Sequence, residues 1–242
     1  MIYIDCREGL SGDMLLAALL GLVPPRRKEE LVDRIKRAAE GRGILATVLD
    51  LKEGTDSGLG ISYSTKDDIV RETSYGQAYS ILNGFSKVLG SESVLPGKML
   101  GSIFDAEAEA HGLPAKEVHL HEIGRPQALL NFAGIGLVHS ELVASGPEEA
   151  VASTITTGKG IVVVSHGAVR VPAPAAYILL RGLVHEPGDD PGERATPSGI
   201  AAVKSMISRQ SDEMPPNPTA RSVGFGTKRF GGRLGRTTVL RA

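Results

Sequence analysis

The densest group of ligand-type side chains in this 242-residue sequence is His119-Leu120-His121-Glu122, with Glu107 and His111 shortly upstream. In a strand, the side-chain period of two puts His119 and His121 on one face, where two imidazoles can meet one transition metal. In a helical turn, His119 and Glu122 become the neighbours instead. Either arrangement needs ligands from elsewhere, and Glu107 and His111, four apart on a helix, offer an acid and an imidazole on one side. The plainer reading of the same residues is a solvated or packing histidine pair.

A second group sits near the start. Asp5 and Cys6 close an apolar alternating run, and Gly9-Leu10-Ser11-Gly12-Asp13 turns from it into an apolar helix. Ligands of open α/β sheets commonly bind at the carboxyl ends of strands, so the carboxylates of Asp5 and Asp13, with Cys6 and Ser11 beside them, could hold a divalent ion or orient a substrate. Against this, Asp13 can cap the helix and Cys6 can be a small core residue. The turns Ser165-His166-Gly167 and Thr196-Pro197-Ser198-Gly199 share with Ser11 and Gly12 the hydroxyls and backbone N–H groups that suit a phosphate. From Pro215 onward come Arg221, Lys228, Arg229, Arg233, Arg236 and Arg241, interleaved with glycines and with no acid. Such a stretch can close over phosphate groups through bidentate arginines, or form a solvated face.

Periodicity predicts the elements that must position these groups. Helices are expected over residues 14–20, 28–40, 75–89, 97–111, 126–140, 175–180 and 197–208, with Gly90 and Gly112 as stops. Strands are expected over 2–6, 47–51, 59–63, 155–165, 221–225 and 237–240, and a short extended piece over 118–123. Strands and helices alternate without a βαβ rhythm, which predicts an α+β fold of mixed short strands covered by helices, its strand order left open. Residues 1–210 read as the main unit, and 211–242 as a Gly/Arg-rich segment whose terminal strands pack on it.

The composition, 41% hydrophobic and 23% charged, supports one sizeable core or two small ones and excludes disorder. A net charge of -1 gives no reason to expect nucleic-acid or membrane-surface partners. No Trp, five Tyr and five Phe disfavour stacking on single-stranded nucleic acid. One cysteine excludes an intramolecular disulfide and a multi-cysteine zinc site. Met1-Ile2-Tyr3-Ile4-Asp5 lacks a basic leader, and no apolar run reaches the roughly 20 residues of a bilayer span, so a cytoplasmic, unanchored protein is expected.

The segments Asp5-Cys6, Gly9 to Met14, Ala106-Glu107 to His111-Gly112, His119 to Gly124, Gly158-Lys159-Gly160, Ser165-His166-Gly167, Val171 to Ala175 and Thr196 to Gly199, in that order, resemble the LarC family of nickel-insertion proteins. The resemblance spans nearly the whole chain. It implies insertion of Ni(II) into pyridinium-3,5-bisthiocarboxylic acid mononucleotide, forming the carbon–nickel and sulfur–nickel bonds of the nickel-pincer nucleotide cofactor of lactate racemase and related enzymes. That is a CTP-consuming step of the chelatase or cyclometallase kind, classed as a lyase. On this basis His119, His121, Glu107 and His111 are the expected metal ligands, and Asp5, Cys6, Asp13 and Glu122 the catalytic groups. Ser11, Gly12, His166, Gly167, Thr196, Ser198 and Gly199 are expected to hold the mononucleotide.

The chain departs from that family's pattern in two respects. Where the family usually carries two aspartates four residues apart, after the His-x-His-Glu-x-Gly segment, this sequence has Gln127 and Asn131. An amide is a weaker ligand for a divalent cation and no base near neutral pH. Full-size family members also continue into a domain associated with CTP, so CTP with Mg(II) or Mn(II) is expected to act through a separate partner chain. A homo-oligomer stays open. The alternative function is a non-catalytic nickel- or nucleotide-binding chaperone or scaffold subunit.

Overall fold

The computed structural model of the chain describes residues 1–65, 72–121, 123–144, 149–164 and 167–242. Its first half runs β1 (Ile2–Asp5), α1 (Gly12–Gly21), α2 (Pro25–Glu40), β2 (Ile44–Glu53), β3 (Asp56–Thr65), β4 (Thr73–Ser74), α3 (Tyr75–Leu89), α4 (Leu95–His111), β5 (His119–Leu120) and α5 (Pro126–Ala144). The second half runs β6 (Ala150–Ala152), β7 (Ile155–Thr156), β8 (Gly158–Lys159), β9 (Ile161–Val164), β10 (Gly167–Arg170), α6 (Pro174–Leu179), β11 (His185–Glu186), β12 (Gly192–Glu193), α7 (Pro197–Met206), β13 (Arg209–Gln210), β14 (Ala220–Phe230) and β15 (Arg233–Arg241). Mixed strands with packed helices make this the α+β class expected.

Seven strands form one mixed sheet in the order β13-β6-β1-β15-β14-β3-β2. β1 lies parallel to β6 and antiparallel to β15, and β14 joins β15 to β3. Alternation decides which side of β1 faces which core. Ile2 and Ile4 enter the main core with the helices, and Tyr3 joins Val151 and Leu240 in a small cluster of its own.

Helix α1 is apolar all round because it is covered all round. Residues from Met14 to Leu20 are buried, and the helix packs on β14, β3 and β15 on one side and against α5 on another. Close approach to the sheet depends on glycine: a Cβ on Gly224 of β14 would stand 1.8 Å from the Met14 carbonyl oxygen. By contrast α2 buries only Leu31, Ile35, Ala38 and Ala39, and is tied to α5 by a two-pronged Arg27–Glu141 pair at 2.9 Å. Helix α3 opens with a Ser74/Gln77 capping box, and α3 and α4 end on left-handed Gly90 and Gly112 as expected.

The terminal strands differ most from expectation. Expected as short pieces over 221–225 and 237–240, they run instead as the long β14 and β15 in the middle of the sheet. They turn through Gly231-Gly232, both at positive φ, as a two-residue hairpin connection requires. Buried Val223, Phe225 and Val239 sit in a stretch otherwise rich in arginine, glycine and threonine, which hides central strands behind the composition of a loop. Among the described residues, no helix is long and apolar enough to cross a membrane.

Candidate functional site

Two helix starts are held side by side by one strand-like bridge. Leu10 pairs with Ala195, Leu10 N–H donates to the Arg194 carbonyl (3.0 Å), and Thr196 N–H donates to the Leu10 carbonyl (2.8 Å). This sets the beginnings of α1 and α7 next to each other. Ser11 caps α1, accepting from Met14 N–H at 3.4 Å, and its hydroxyl donates to Asp13. Thr196 caps α7, accepting from Gly199 N–H at 3.3 Å, and its hydroxyl lies 3.0 Å from that of Ser198. Gly199 permits the contact, since a Cβ there would lie 2.7 Å from the Leu10 carbonyl.

In front of α7 opens a cleft of about 390 Å³. Glu107 and His111, from the last turn of α4, line it with His119 and His121, from β5 and the residue after it. Thr196, Pro197 and Ser198 line it from α7, and Glu193 and Lys228 add a charged pair, their closest atoms 3.9 Å apart. His119 is exposed and Leu120 is buried, so the strand reading of this segment holds in that the intervening leucine anchors it to the core. β5 is fixed by pairing with β4, Ser74 opposite His119. His111 Nε2 stands 3.5 Å from Glu107 Oε2, the i,i+4 pair expected, and His121 Nδ1 stands 3.8 Å from Glu72 Oε1. Among the described residues no three His, Cys, Asp or Glu side chains are gathered closely enough to cage a metal. The cleft thus presents imidazoles and carboxylates along its wall rather than as a closed site.

The first loop divides. Ser11, Gly12 and Asp13 lie at the start of α1, and a Cβ on Gly12 would be 3.5 Å from Ser198 Oγ and 3.4 Å from Asn131 Cβ. Asp5 and Cys6 stand apart from the cleft. Asp5 is gripped by Arg7 through two bonds of 2.8 and 2.7 Å and accepts from Ser153 at 3.4 Å. Cys6 is fully buried, and its thiol donates to the Ile4 carbonyl at 3.6 Å. Burial, with the Asp5 charge adding, pushes that thiol far above its ordinary pKa, whereas a nucleophile or metal ligand needs the thiolate. Cys6→Ser is therefore expected to leave nickel affinity within about twofold of the parent, as calorimetry under reducing conditions would read.

Of the other expected groups, Thr196 and Ser198 line the cleft, whereas Gly199 is buried behind them with its N–H taken by the Thr196 hydroxyl. Gly167 starts the exposed β10, whose Val169 reaches the cleft wall. Glu122 and His166 lie outside the described residues. The C-terminal cations are mostly matched by acids: Arg221 with Asp56 (2.7 Å), Arg229 with Glu53 (2.8 Å), and Arg236 with Glu8 and Asp56. Lys228 is the member of that stretch that lines the cleft.

Three residues were not picked out as site residues from the sequence. Lys228 showed only as one of the six cations of the basic C-terminal stretch, and Glu193 carries no local signal. Tyr63, on β3, donates its hydroxyl to Asn131 Oδ1 at 2.5 Å, and only its being the one aromatic side chain of that strand sets it apart. Burial, and then the Asp13 charge, push the Tyr63 phenol up, so it remains a donor at neutral pH.

A family model described as nickel insertion protein matches residues 2–242. Among curated relatives, the pyridinium-3,5-bisthiocarboxylic acid mononucleotide nickel insertion protein of Staphylococcus epidermidis (strain RP62A) is 29% identical over 232 residues, covering 93% of this chain and 54% of the relative. The protein of the same name from Geobacillus kaustophilus is 29% identical over 239 residues, covering 93% of this chain and 55% of the relative. The chain thus spans about half the length of the curated relatives it matches. No solved structure matches it significantly. With the match running from the first strand of the sheet to the last, the chain belongs to the nickel insertion protein family.

Proposed function

We propose that this chain carries the metal-delivering site for insertion of nickel into pyridinium-3,5-bisthiocarboxylic acid mononucleotide, the precursor of the nickel-pincer nucleotide used by lactate racemase-type enzymes. The observation that carries the reading is the single cleft in which His111, His119, His121 and Glu107 face the start of α7. Nickel(II) is the cargo. Imidazoles suit it, and ligands spread along a wall hold an ion less tightly than a closed cage, as release to a second ligand set demands. Thr196, Ser198 and Lys228 supply donors for the phosphate end of the nucleotide, and Glu107 and Glu193 supply acceptors for protons displaced as metal bonds form. In this reading CTP with Mg(II) or Mn(II) acts through a partner chain.

Purified chain supplied with nickel, the mononucleotide and CTP, with and without a CTP-binding partner, is expected to yield the metallated nucleotide in the presence of the partner, read by mass spectrometry. No product in either case, with nickel binding retained, favours the second reading, a non-catalytic nickel or nucleotide carrier. That reading draws on Asn131, an amide beside Gly12 and Ser198 where the resemblance leads one to expect a carboxylate.

A further inference from the structure

The ladder between β14 and β15 is interrupted beside the cleft. Phe225 pairs with Arg236 and Arg229 with Leu234, so Gly226, Thr227 and Lys228 stand opposite Gly235 alone. Carried on at its first register, the ladder would set Lys228 opposite Arg233, like charge against like. The bulge frees Lys228 from the ladder, and bulges re-aim side chains in this way beside functional sites. Lys228 lines the cleft with its ammonium 3.9 Å from Glu193 of β12. Beyond the bulge, Phe230 ties β14 to the chain just after β12, its ring carrying the Arg194 guanidinium 4.8 Å from the ring centre. Gly192 and Gly235 leave room for that ring, since a Cβ on either would approach it to 3.5 or 3.1 Å. Arg194 is bonded in turn to Asp190 at 2.8 Å, and its Nε is buried with no hydrogen-bond partner. A buried donor left unpaired is costly, and the geometry that incurs the cost is the one that stacks the guanidinium on Phe230.

We propose that this bulge, held by the Phe230–Arg194 stack, makes Lys228 the residue by which the cleft tells a phosphorylated ligand from its dephosphorylated form, with Phe230 and Arg194 as positioning residues. Lys228 is the one Lys or Arg among the described residues that line the cleft, and its side chain is 62% exposed, open to a ligand. The start of α7 has less to offer an anion. Pro197 has no N–H, and those of Gly199 and Ile200 are taken by the Thr196 hydroxyl and carbonyl. Without the Lys228 ammonium, a phosphate would meet the carboxylates of Glu193 and Glu107. With it, the phosphate exchanges the loose Lys228–Glu193 contact for a shorter charge-assisted bond. That the ligand is a pyridinium mononucleotide rests on the function proposed above, whereas the preference for phosphate does not depend on nickel chemistry.

The test uses the whole chain without nickel and, as probes, pyridinium-3-carboxylic acid mononucleotide and the corresponding nucleoside, with affinities read by calorimetry. The parent is expected to bind the mononucleotide about tenfold more tightly than the nucleoside, the gain typical of one hydrogen bond to a charged group. Lys228→Ala should bring that ratio close to one by weakening the mononucleotide alone, and Lys228→Arg should keep most of it. Phe230→Leu removes the stack but keeps an apolar side chain. It should lower the ratio with nucleoside affinity unchanged, and Phe230→Tyr should keep the ratio, a pattern that a general loosening of the hairpin would not give. Thermal melting checks folding, and if Phe230→Leu does not fold, Arg194→Lys, which keeps the charge but not the planar stack, takes its place. A ratio near one in the parent, no binding of either probe, or a ratio unchanged in Lys228→Ala or in the folded stack variant overturns the proposal. Failed insertion with the phosphate preference intact overturns only the nickel reading, and successful insertion with both probes bound alike overturns only this one.

Discussion

Nickel affinity is expected to fall at least about 100-fold when both cleft imidazoles of the β5 segment are removed, in His119→Ala/His121→Ala. On the proposed delivery role the change removes two direct ligands at once, and the loss of even an outer-sphere partner of a metal ligand commonly costs between about ten- and a hundredfold. The backbone should tolerate the change, because the segment is anchored by buried Leu120 and by pairing with Thr73 and Ser74, none of which the substitutions touch. Calorimetry with metal analysis, under reducing conditions, separates the outcomes. Tight binding by the parent and weak binding by the double variant place the metal at β5. Affinity unchanged by the double substitution would put nickel elsewhere and move the carrier reading to first place. The His111–Glu107 pair gives an internal comparison: if it joins the same ion, His111→Ala should cost a further factor in the parent and none in the double variant.

The largest expected effect on stability lies away from the cleft, at Gly224. A methyl group there would stand 1.8 Å from the Met14 carbonyl oxygen and 2.7 Å from Ala18 N, and both are backbone atoms of a helix that is itself pinned against α5. No rotamer change relieves such a contact, so α1 must move off the sheet. Gly224→Ala is expected to cost about 3 kcal/mol or more, the upper end for overpacking, in a urea titration. In a chain of this size that corresponds to a melting point lower by roughly 6–12 °C. Gly97→Ala is the matched control: nothing lies within 4 Å of its Cβ position, and in the first turn of α4 alanine should be neutral or stabilising by up to about 1 kcal/mol. A melting point unchanged by Gly224→Ala would mean that the α1–β14 contact is looser than described.

Helices were the most legible part of the sequence, because their signals are local. The span of α3, the glycine stops after α3 and α4 and the amphipathic face of α2 follow from nearby residues alone. Strands whose pairing is remote were less so. Ala150–Ala152 and Arg209–Gln210 are too short and carry too few β-branched residues to announce themselves, and they become strands only because β1 offers an edge to β6, and β6 to β13. The cleft was half visible. Its histidines and its Thr-Pro-Ser turn stand out by type, whereas Lys228 and Glu193 reach it only because β14 and β12 pass nearby, a fact of tertiary geometry. Cys6 shows the opposite limit, since its type suggested chemistry but only burial could show that the thiol is withheld.

The register Ile2 opposite Arg241 carries a consequence for how the molecule is made. On the ribosome, β1 and α1 emerge long before β14 and β15, the strands that lie against them at the centre of the sheet. Until they follow, the apolar α1 has only the β2–β3 hairpin to lie on, and the β1–β15 pairing joins segments remote in sequence. The main sheet should therefore fold slowly, and only once the β14–β15 hairpin has been made, with nascent chains depending on holding chaperones until then.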